Sequence, residues 1–376
     1  MSGGNLLQRS LSAALILFLG LSLGISARAS GAEVPSIAVG IATANIAWEE
    51  PATVKATFNA IHAAGFGIVR IGLKEPLPRS YAALITAKEA GLKIVLTIPL
   101  IDGAVAEIGA APRPREGRFF PAYGLSQIDL GRFDARLAAL LDFAVDQRIP
   151  LIGLELGNEL NWSGYNGDLP LTKGGQVIDA EGDWPTDVAD RFAAGLTRYR
   201  AVLERSEAAI AKRPTLADVK LVSAGLADIN AAFIRQSDTT YVAPDLVYRA
   251  FTQRGILDLT DVVGIHLYEP LRRANNTADR RAMIETQLDD CGSVAFARRP
   301  CWITEFGSAS PQAECAVDDA ERIALLQPLL DRLHRTASAV PLALYYDWSE
   351  DKGFALQRCG RMTALTTLLS DQNTAP

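Results

Sequence analysis

Downstream of residue 36 the chain alternates short apolar runs with longer amphipathic stretches, and it repeats the alternation eight times. The apolar runs are Ile37–Ala42, Gly67–Ile71, Lys93–Ile98, Pro150–Leu156, Lys220–Ala224, Asp261–Leu267, Trp302–Phe306 and Leu342–Tyr346. Each is strand length and nearly continuous in apolar residues, the pattern of a parallel strand covered on both faces. The intervening segments carry helical spacing. Pro51–Ala64 starts with a proline suited to a first turn and is followed by Gly65, and Ser80–Ala90 is stopped by Gly91. Arg132–Asp146 sets Leu137, Leu140, Leu141 and Phe143 on one side. Val188–Ala211 is the longest, and Val317–Ala337 and Met362–Leu369 close the series. Eight such units predict an α/β chain folded as a (β/α)8 TIM barrel rather than an open doubly wound sheet. With 376 residues, 49% of them hydrophobic, one large core is within reach, and a single domain over 30–376 is expected. No Gly-x-Gly-x-x-Gly follows the first run, which removes the usual dinucleotide reading.

The connections are unequal. Segments entering strands are short, such as Ala90-Gly91-Leu92, whereas Ile101–Gly131 and Leu160–Asp187, leaving the third and fourth strands, are long. Loops after strands build the active face of this fold. The two long loops carry Phe119, Phe120, Tyr123, Trp162, Tyr165 and Trp184, rings that either stack on sugar C–H faces or fill the loop interiors.

Polar residues gather where the apolar runs end. Leu154-Glu155-Leu156-Gly157-Asn158-Glu159 ends the fourth and Cys301-Trp302-Ile303-Thr304-Glu305-Phe306-Gly307 ends the seventh. An acid leading out of a core is costly unless something there uses it. Residues two apart share a face of a strand. Glu155, Gly157 and Glu159 therefore form one set, and Gly264, His266 and Tyr268 another. The same parity joins Ile303 to Glu305 and places Leu344, Tyr346 and Trp348 together, while Arg70 ends the second strand.

This ordered set resembles glycoside hydrolase clan A, the retaining (β/α)8 enzymes that include cellulases, mannanases, galactanases and xylosidases. The resemblance implies that Glu159 of Asn158-Glu159 is the general acid/base and that Glu305 is the nucleophile. It further implies substrate-side roles for Arg70, Asn158, His266, Tyr268 and Trp348, with Trp348 as a floor beneath the sugar, and Trp162 joins them as a loop contact. The chain departs from the clan in two places. Thr97-Ile98-Pro99 stands where cellulase-like members carry a histidine, and Leu160-Asn161 follows the Asn-Glu pair where a proline is common. Glu155 resembles members reading Glu-x-x-Asn-Glu, and a buried pairing with Arg70 is its expected role.

The two carboxylates have different needs. A nucleophile must be ionised, which Arg70 and the Tyr268 hydroxyl would favour, and the acid must hold a proton, which the negative Glu305 would promote on Glu159. The expected activity is hydrolysis of a β-linked poly- or oligosaccharide by double displacement, with no cofactor and no metal. A non-catalytic carbohydrate-binding barrel would keep the rings but had no need for both glutamates. A transglycosylase would share all of these residues. A metal-dependent hydrolase needs histidine clusters at strand ends, and of the three histidines His62 and His334 fall on helices.

The first residues read as a secretory signal over 1–29. Arg9 supplies a positive n-region, Leu11 to Ile25 an apolar stretch, and Ala27-Arg28-Ala29 a small-x-small cleavage site. An uncleaved anchor is the alternative, but the stretch is shorter than the ~20 residues needed to span. Export to the periplasm or medium, no stable membrane association after cleavage and a monomer by default are the expectations. The formal charge of −6 becomes more negative once Arg9 and Arg28 leave, which disfavours nucleic acid and suits a neutral carbohydrate partner. The four cysteines suit two disulfides in an exported chain, with Cys291–Cys301 and Cys315–Cys359 the favoured pairing. Asn275-Asn276-Thr277 is formally a glycosylation acceptor and is read as coincidental.

Overall fold

The computed structural model describes residues 37–114, 121–268, 277–309, 315–349 and 353–373. The leader, Phe119, Phe120, Asn275 and Asn276 lie outside them. The eight predicted strands form: β1 (Ala38–Thr43), β2 (Ile68–Gly72), β3 (Lys93–Ile98), β4 (Leu151–Leu156), β5 (Lys220–Ser223), β6 (Val263–Tyr268), β7 (Cys301–Gly307) and β8 (Leu342–Tyr346). All pair in parallel in the order β5-β4-β3-β2-β1-β8-β7-β6. The seam between β5 and β6 is closed by a parallel bridge of Val222 to Val262 and by the Gly264 N–H donating to Ser223 Oγ at 3.0 Å. The sheet is thus a (β/α)8 barrel.

Two apolar layers explain why the runs were apolar on both faces. Inside the cylinder pack Ala42, Val95, Val222, Val262, Trp302, Leu342 and Leu344. Trp302 fills the interior because Gly153 faces it without a side chain; a Cβ there would lie 2.4 Å from the Trp302 ring. The opposite strand faces pack on the surrounding helices in a much larger cluster.

The helices are α1 (Pro51–Ala63), α2 (Leu77–Glu89), α3 (Leu130–Asp146), α4 (Thr186–Ala211), α5 (Ala231–Gln236), α6 (Pro244–Gln253), α7 (Thr277–Asp290), α8 (Ala320–Arg335) and α9 (Ala364–Asp371). α3 starts two residues earlier than its apolar pattern because Asp129 caps it, accepting from the backbone N–H groups of Gly131 and Arg132. Its Phe143 faces α2 rather than the sheet, stacking on Tyr81 with centroids 4.1 Å apart. Two short parallel strands, Gln176–Ile178 and Thr240–Val242, tie the loop after β4 to the segment after β5. Disulfides join Cys291 to Cys301 and Cys315 to Cys359. Among the described residues no helix is long and apolar enough to cross a membrane.

Candidate active site

Arg70 organises the mouth of the barrel. It lies inward on β2 and is 1% exposed. Its Nε donates to Glu155 Oε2 at 2.6 Å, its Nη1 to Glu305 Oε1 at 2.5 Å and its Nη2 to Asn158 Oδ1 at 2.7 Å. A guanidinium is the one side chain whose planar fork reaches three acceptors at once. The expected pairing of Glu155 with Arg70 is therefore present. Glu155 is wholly buried and also accepts from Thr97 Oγ1 at 2.6 Å and from the Gly225 N–H at 3.3 Å. Thr97, in the Thr97-Ile98-Pro99 stretch where the resemblance led to a histidine, serves that buried acid.

Glu305 accepts from Arg70 through one oxygen and from the Tyr268 hydroxyl through the other. Glu159 receives His266 Nδ1 at 3.3 Å, and the same nitrogen is 3.8 Å from Glu305. One oxygen of Glu159, one of Glu305 and one nitrogen of His266 all lie within 4.8 Å of one another. Their spacing would also suit a cation. Both Glu305 oxygens are already engaged, however, and the Arg70 charge against that carboxylate would repel a metal ion.

The route by which the carboxylates reach the mouth differs from simple alternation. Ile303 faces the helices, so it does not share a side with Glu305. The register of β7 slips against both neighbours: Ile265 is opposite Ile303, but His266 is opposite Glu305. That irregularity places an extra residue, Thr304, in the strand and turns Glu305 inward. β4 ends at Leu156, and Glu159 follows a turn with positive φ at Gly157 (87°) and at Glu159 itself (48°). The Glu159 N–H donates to the Gly225 carbonyl at 2.8 Å, which fixes the turn. Asn161, where the resemblance favours proline nearby, pins the same loop: its amide donates to the carbonyls of Ala227 and Val242 and accepts from the Ala227 N–H.

Trp348 requires correction. It is fully buried, packed in the helix layer and edge-on to Phe66 at 6.3 Å, so it offers no face to a sugar. The chain leaves the barrel after Tyr346, and the half-buried Tyr346 is the ring that stays at the mouth, 6.4 Å from Tyr268. Trp162 is half-buried in a satellite cluster, 5.7 Å from Tyr165 and 6.2 Å from Phe233. Burial raises the Tyr165 hydroxyl above its ordinary range, the negative Glu159 and Glu305 add to the rise and Arg70 opposes it. Trp184 sits on the outer helices against Phe192. Thr97, Tyr165, Gly225 and Tyr346 are thus residues of the site to which the sequence reading assigned no role there. Only the two tyrosines carried a signal, one as a loop aromatic and one through its parity on β8.

The environments split the two glutamates. Burial raises the Glu159 carboxyl above the ordinary carboxylate range, His266 offsets part of this, and the negative Glu305 adds to the rise. Burial also pushes Glu305 upward, but the charges of His266 and Arg70 and the hydrogen bonds from Tyr268 and Arg70 outweigh it and hold Glu305 below its usual value. For His266, burial disfavours the imidazolium, yet Glu305 and Glu159 prevail and raise its pKa. The Tyr268 hydroxyl is held well above its ordinary range by burial and by the neighbouring carboxylates, so it remains a donor.

No sequence-family model matches the chain, and no curated protein matches it by sequence. Solved structures do match in fold. A beta-glycosidase, BGL167, superposes with a TM-score of 0.57 at 17% identity, covering 91% of this chain and 97% of its own. An endo-1,4-beta-mannanase from Rhizomucor miehei does so at 0.54 and 13%, covering 90% and 94%. A broad-specificity endoglucanase from an uncultured bacterium gives 0.55 at 11%, covering 91% and 95%. At these identities the likeness establishes the shared barrel.

Proposed function

We propose that this chain is a retaining glycoside hydrolase that cleaves β-glycosidic bonds of an oligo- or polysaccharide, with Glu305 as nucleophile and Glu159 as acid/base. One observation carries the reading: a buried Glu305 and a half-buried Glu159, each with an oxygen within 4.8 Å of the other's, whose pKa values move in opposite directions. Retention needs carboxyl groups about 5–5.5 Å apart, whereas inversion needs about 6.5 Å or more to admit a water between them. Divergent pKa values in one site are the mark of an acid and a base with separate tasks. The barrel shared with several glycosidases agrees with this reading.

Glu305, ionised and steered by Arg70 and Tyr268, attacks the anomeric carbon while protonated Glu159 delivers its proton to the departing oxygen. The Glu305 carboxylate becomes an uncharged ester. Its loss of charge lowers the pKa of Glu159 and of His266, since the negative Glu305 raises both. Glu159 then takes a proton from water as the water oxygen bonds to the anomeric carbon; the bond from that carbon to Glu305 breaks, freeing the sugar and restoring the Glu305 carboxylate. His266, between the two acids, couples their charge states. Asn158, oriented by Arg70, is the candidate donor to the sugar 2-hydroxyl, and Tyr346 rather than Trp348 is the candidate floor. The disulfides and the leader pattern support an exported enzyme.

A panel of purified β-linked polysaccharides and aryl β-glycosides, with products read by mass, tests the activity. On whichever substrate turns over, Glu305→Gln should lose about 10⁴-fold or more in kcat, and proton NMR should show the retained anomer forming first. Turnover unchanged in Glu305→Gln, or an inverted first product, would overturn the assignment.

A further inference from the structure

Beside Glu305 the barrel mouth is walled by a third ring, Phe354, from the segment after β8. Its centroid lies 5.6 Å from Tyr268 and 5.5 Å from Tyr346, edge-on to both. It also lies over the end of β7: a Cβ on Gly307 would come within 3.1 Å of the Phe354 ring. Phe354 is only half-buried, whereas its structural neighbours Tyr345 and Trp348 are wholly enclosed.

The backbone beneath this ring is held unusually firmly. The Phe354 carbonyl accepts from Arg322 Nη1 at 2.6 Å and from the Tyr345 hydroxyl at 2.9 Å. Arg322 is 1% exposed, forks onto Asp319 through Nε and Nη2 at 2.8 and 2.6 Å, and donates to the Ala355 carbonyl at 3.0 Å. Arg358 donates to the Gly353 carbonyl at 3.3 Å, and the next residue, Cys359, is crosslinked to Cys315. A buried ion pair is weak evidence for stability, because desolvation offsets its attraction. Here the pair's evident consequence is geometric: it fixes the main chain on one side while the ring projects on the other.

We propose that Phe354 is a substrate-contacting ring, supplying an apolar face to the sugar unit next to the one attacked by Glu305. Asp319 and Arg322 are its positioning residues. The inference rests on the glycosidase reading and adds to it a binding subsite that rewards chain length. Phenylalanine has no hydroxyl, so the contact is with C–H faces of a neutral pyranose, and a single-sugar substrate does not reach it.

The test compares wild type, Phe354→Ala, Phe354→Leu and Phe354→Tyr on a length series of the oligosaccharide that the panel identifies, beside the matching aryl monoglycoside. For Ala and Leu, KM on the longer oligosaccharides should rise about tenfold with kcat within about twofold, and the aryl monoglycoside should respond by less than about twofold. Tyr, which keeps the flat face, should stay close to wild type. Leu keeps apolar bulk without the face, so a Leu variant that behaves as wild type would overturn the proposal and leave a packing role. Equal losses on both substrates would overturn it too, as would no loss on either. If the wild type cleaves none of these glycosides, the catalytic reading fails separately. Calorimetry with the purified β-linked oligosaccharides of the panel (glucan, mannan, galactan and xylan hexasaccharides) then decides the ring: an affinity about tenfold weaker in Phe354→Leu for the one that binds wild type supports the subsite, and equal affinity, or binding of none by wild type, removes it.

Discussion

Replacing Arg70 by methionine retains the side chain's apolar length and removes its charge, a change with two separable consequences. The first is stability. Glu155 is wholly buried and would keep only Thr97 and the Gly225 N–H as donors, with no cation against it. Breaking a buried ion pair by removing one partner costs about 3–5 kcal/mol. At about 2 °C per kcal/mol for a chain of this size, Tm should fall by about 6–10 °C. Adding Glu155→Gln to Arg70→Met removes the stranded charge and should recover at least half of the loss, about 2 kcal/mol, so the two changes are non-additive in a double-mutant cycle. The second consequence is the pH profile. Burial drives the Glu305 carboxyl up, and His266, Arg70 and Tyr268 bring it below its usual value. Without Arg70 that pKa rises. Glu305 must be ionised to attack, so the acid limb of kcat/KM moves to higher pH. Arg70→Lys separates charge from shape: the limb should stay near its wild-type position, but Tm should still fall, because one ammonium cannot serve the three acceptors of the fork. Thermal unfolding and a pH series on one aryl glycoside measure both. A methionine variant that melts within about 2 °C of wild type, or whose acid limb stays in place, refutes the reasoning.

Two further outcomes follow from the same geometry. Because burial holds Glu159 protonated above the ordinary carboxylate range while Glu305 is ionised below it, kcat/KM should rise as pH climbs through the Glu305 pKa and fall as it climbs through that of Glu159. In Glu159→Gln the alkaline limb should disappear on an aryl glycoside with a good leaving group, and added azide should restore turnover as a glycosyl azide; a persistent alkaline limb would assign it elsewhere. Gly225→Ala should lower kcat by at least about tenfold, since the added Cβ would fall 2.2 Å from His266 Cδ2 and 2.8 Å from Thr304 Oγ1. Wild-type kcat in that variant would show that His266 need not keep its place between the two acids.

How far the sequence could be read depends on how regular the backbone is at each residue. β6 runs without interruption to Tyr268, so the two-residue alternation correctly set His266 and Tyr268 on the inner face. Arg70 was visible because a lone cation in an apolar strand must be paired, and a buried acid on a facing strand supplied the pair. The same alternation misassigned the partner of Glu305, since an extra residue in β7 breaks the count, and it failed for Trp348, since the chain leaves the barrel two residues earlier. Thr97 and Gly225 were silent because a threonine or glycine has meaning only once the acid or ring beside it has been placed. α5, α6 and α7 were not among the amphipathic stretches singled out: α5 is only six residues long, and in α7 Met283, Ile284 and Leu288 make a thin apolar stripe, whereas nothing in the pattern of α6 explains its omission. The electrostatics diverged in rank. The charge of Glu305 was expected to govern Glu159, but burial outranks it, and burial is set by loop paths such as the turn at Gly157 and the clamp of Asn161. Sequence therefore exposes which groups cannot be buried alone. The paths of the loops decide which protonation state each group is buried in, and that division lets two chemically identical side chains take opposite parts in one reaction.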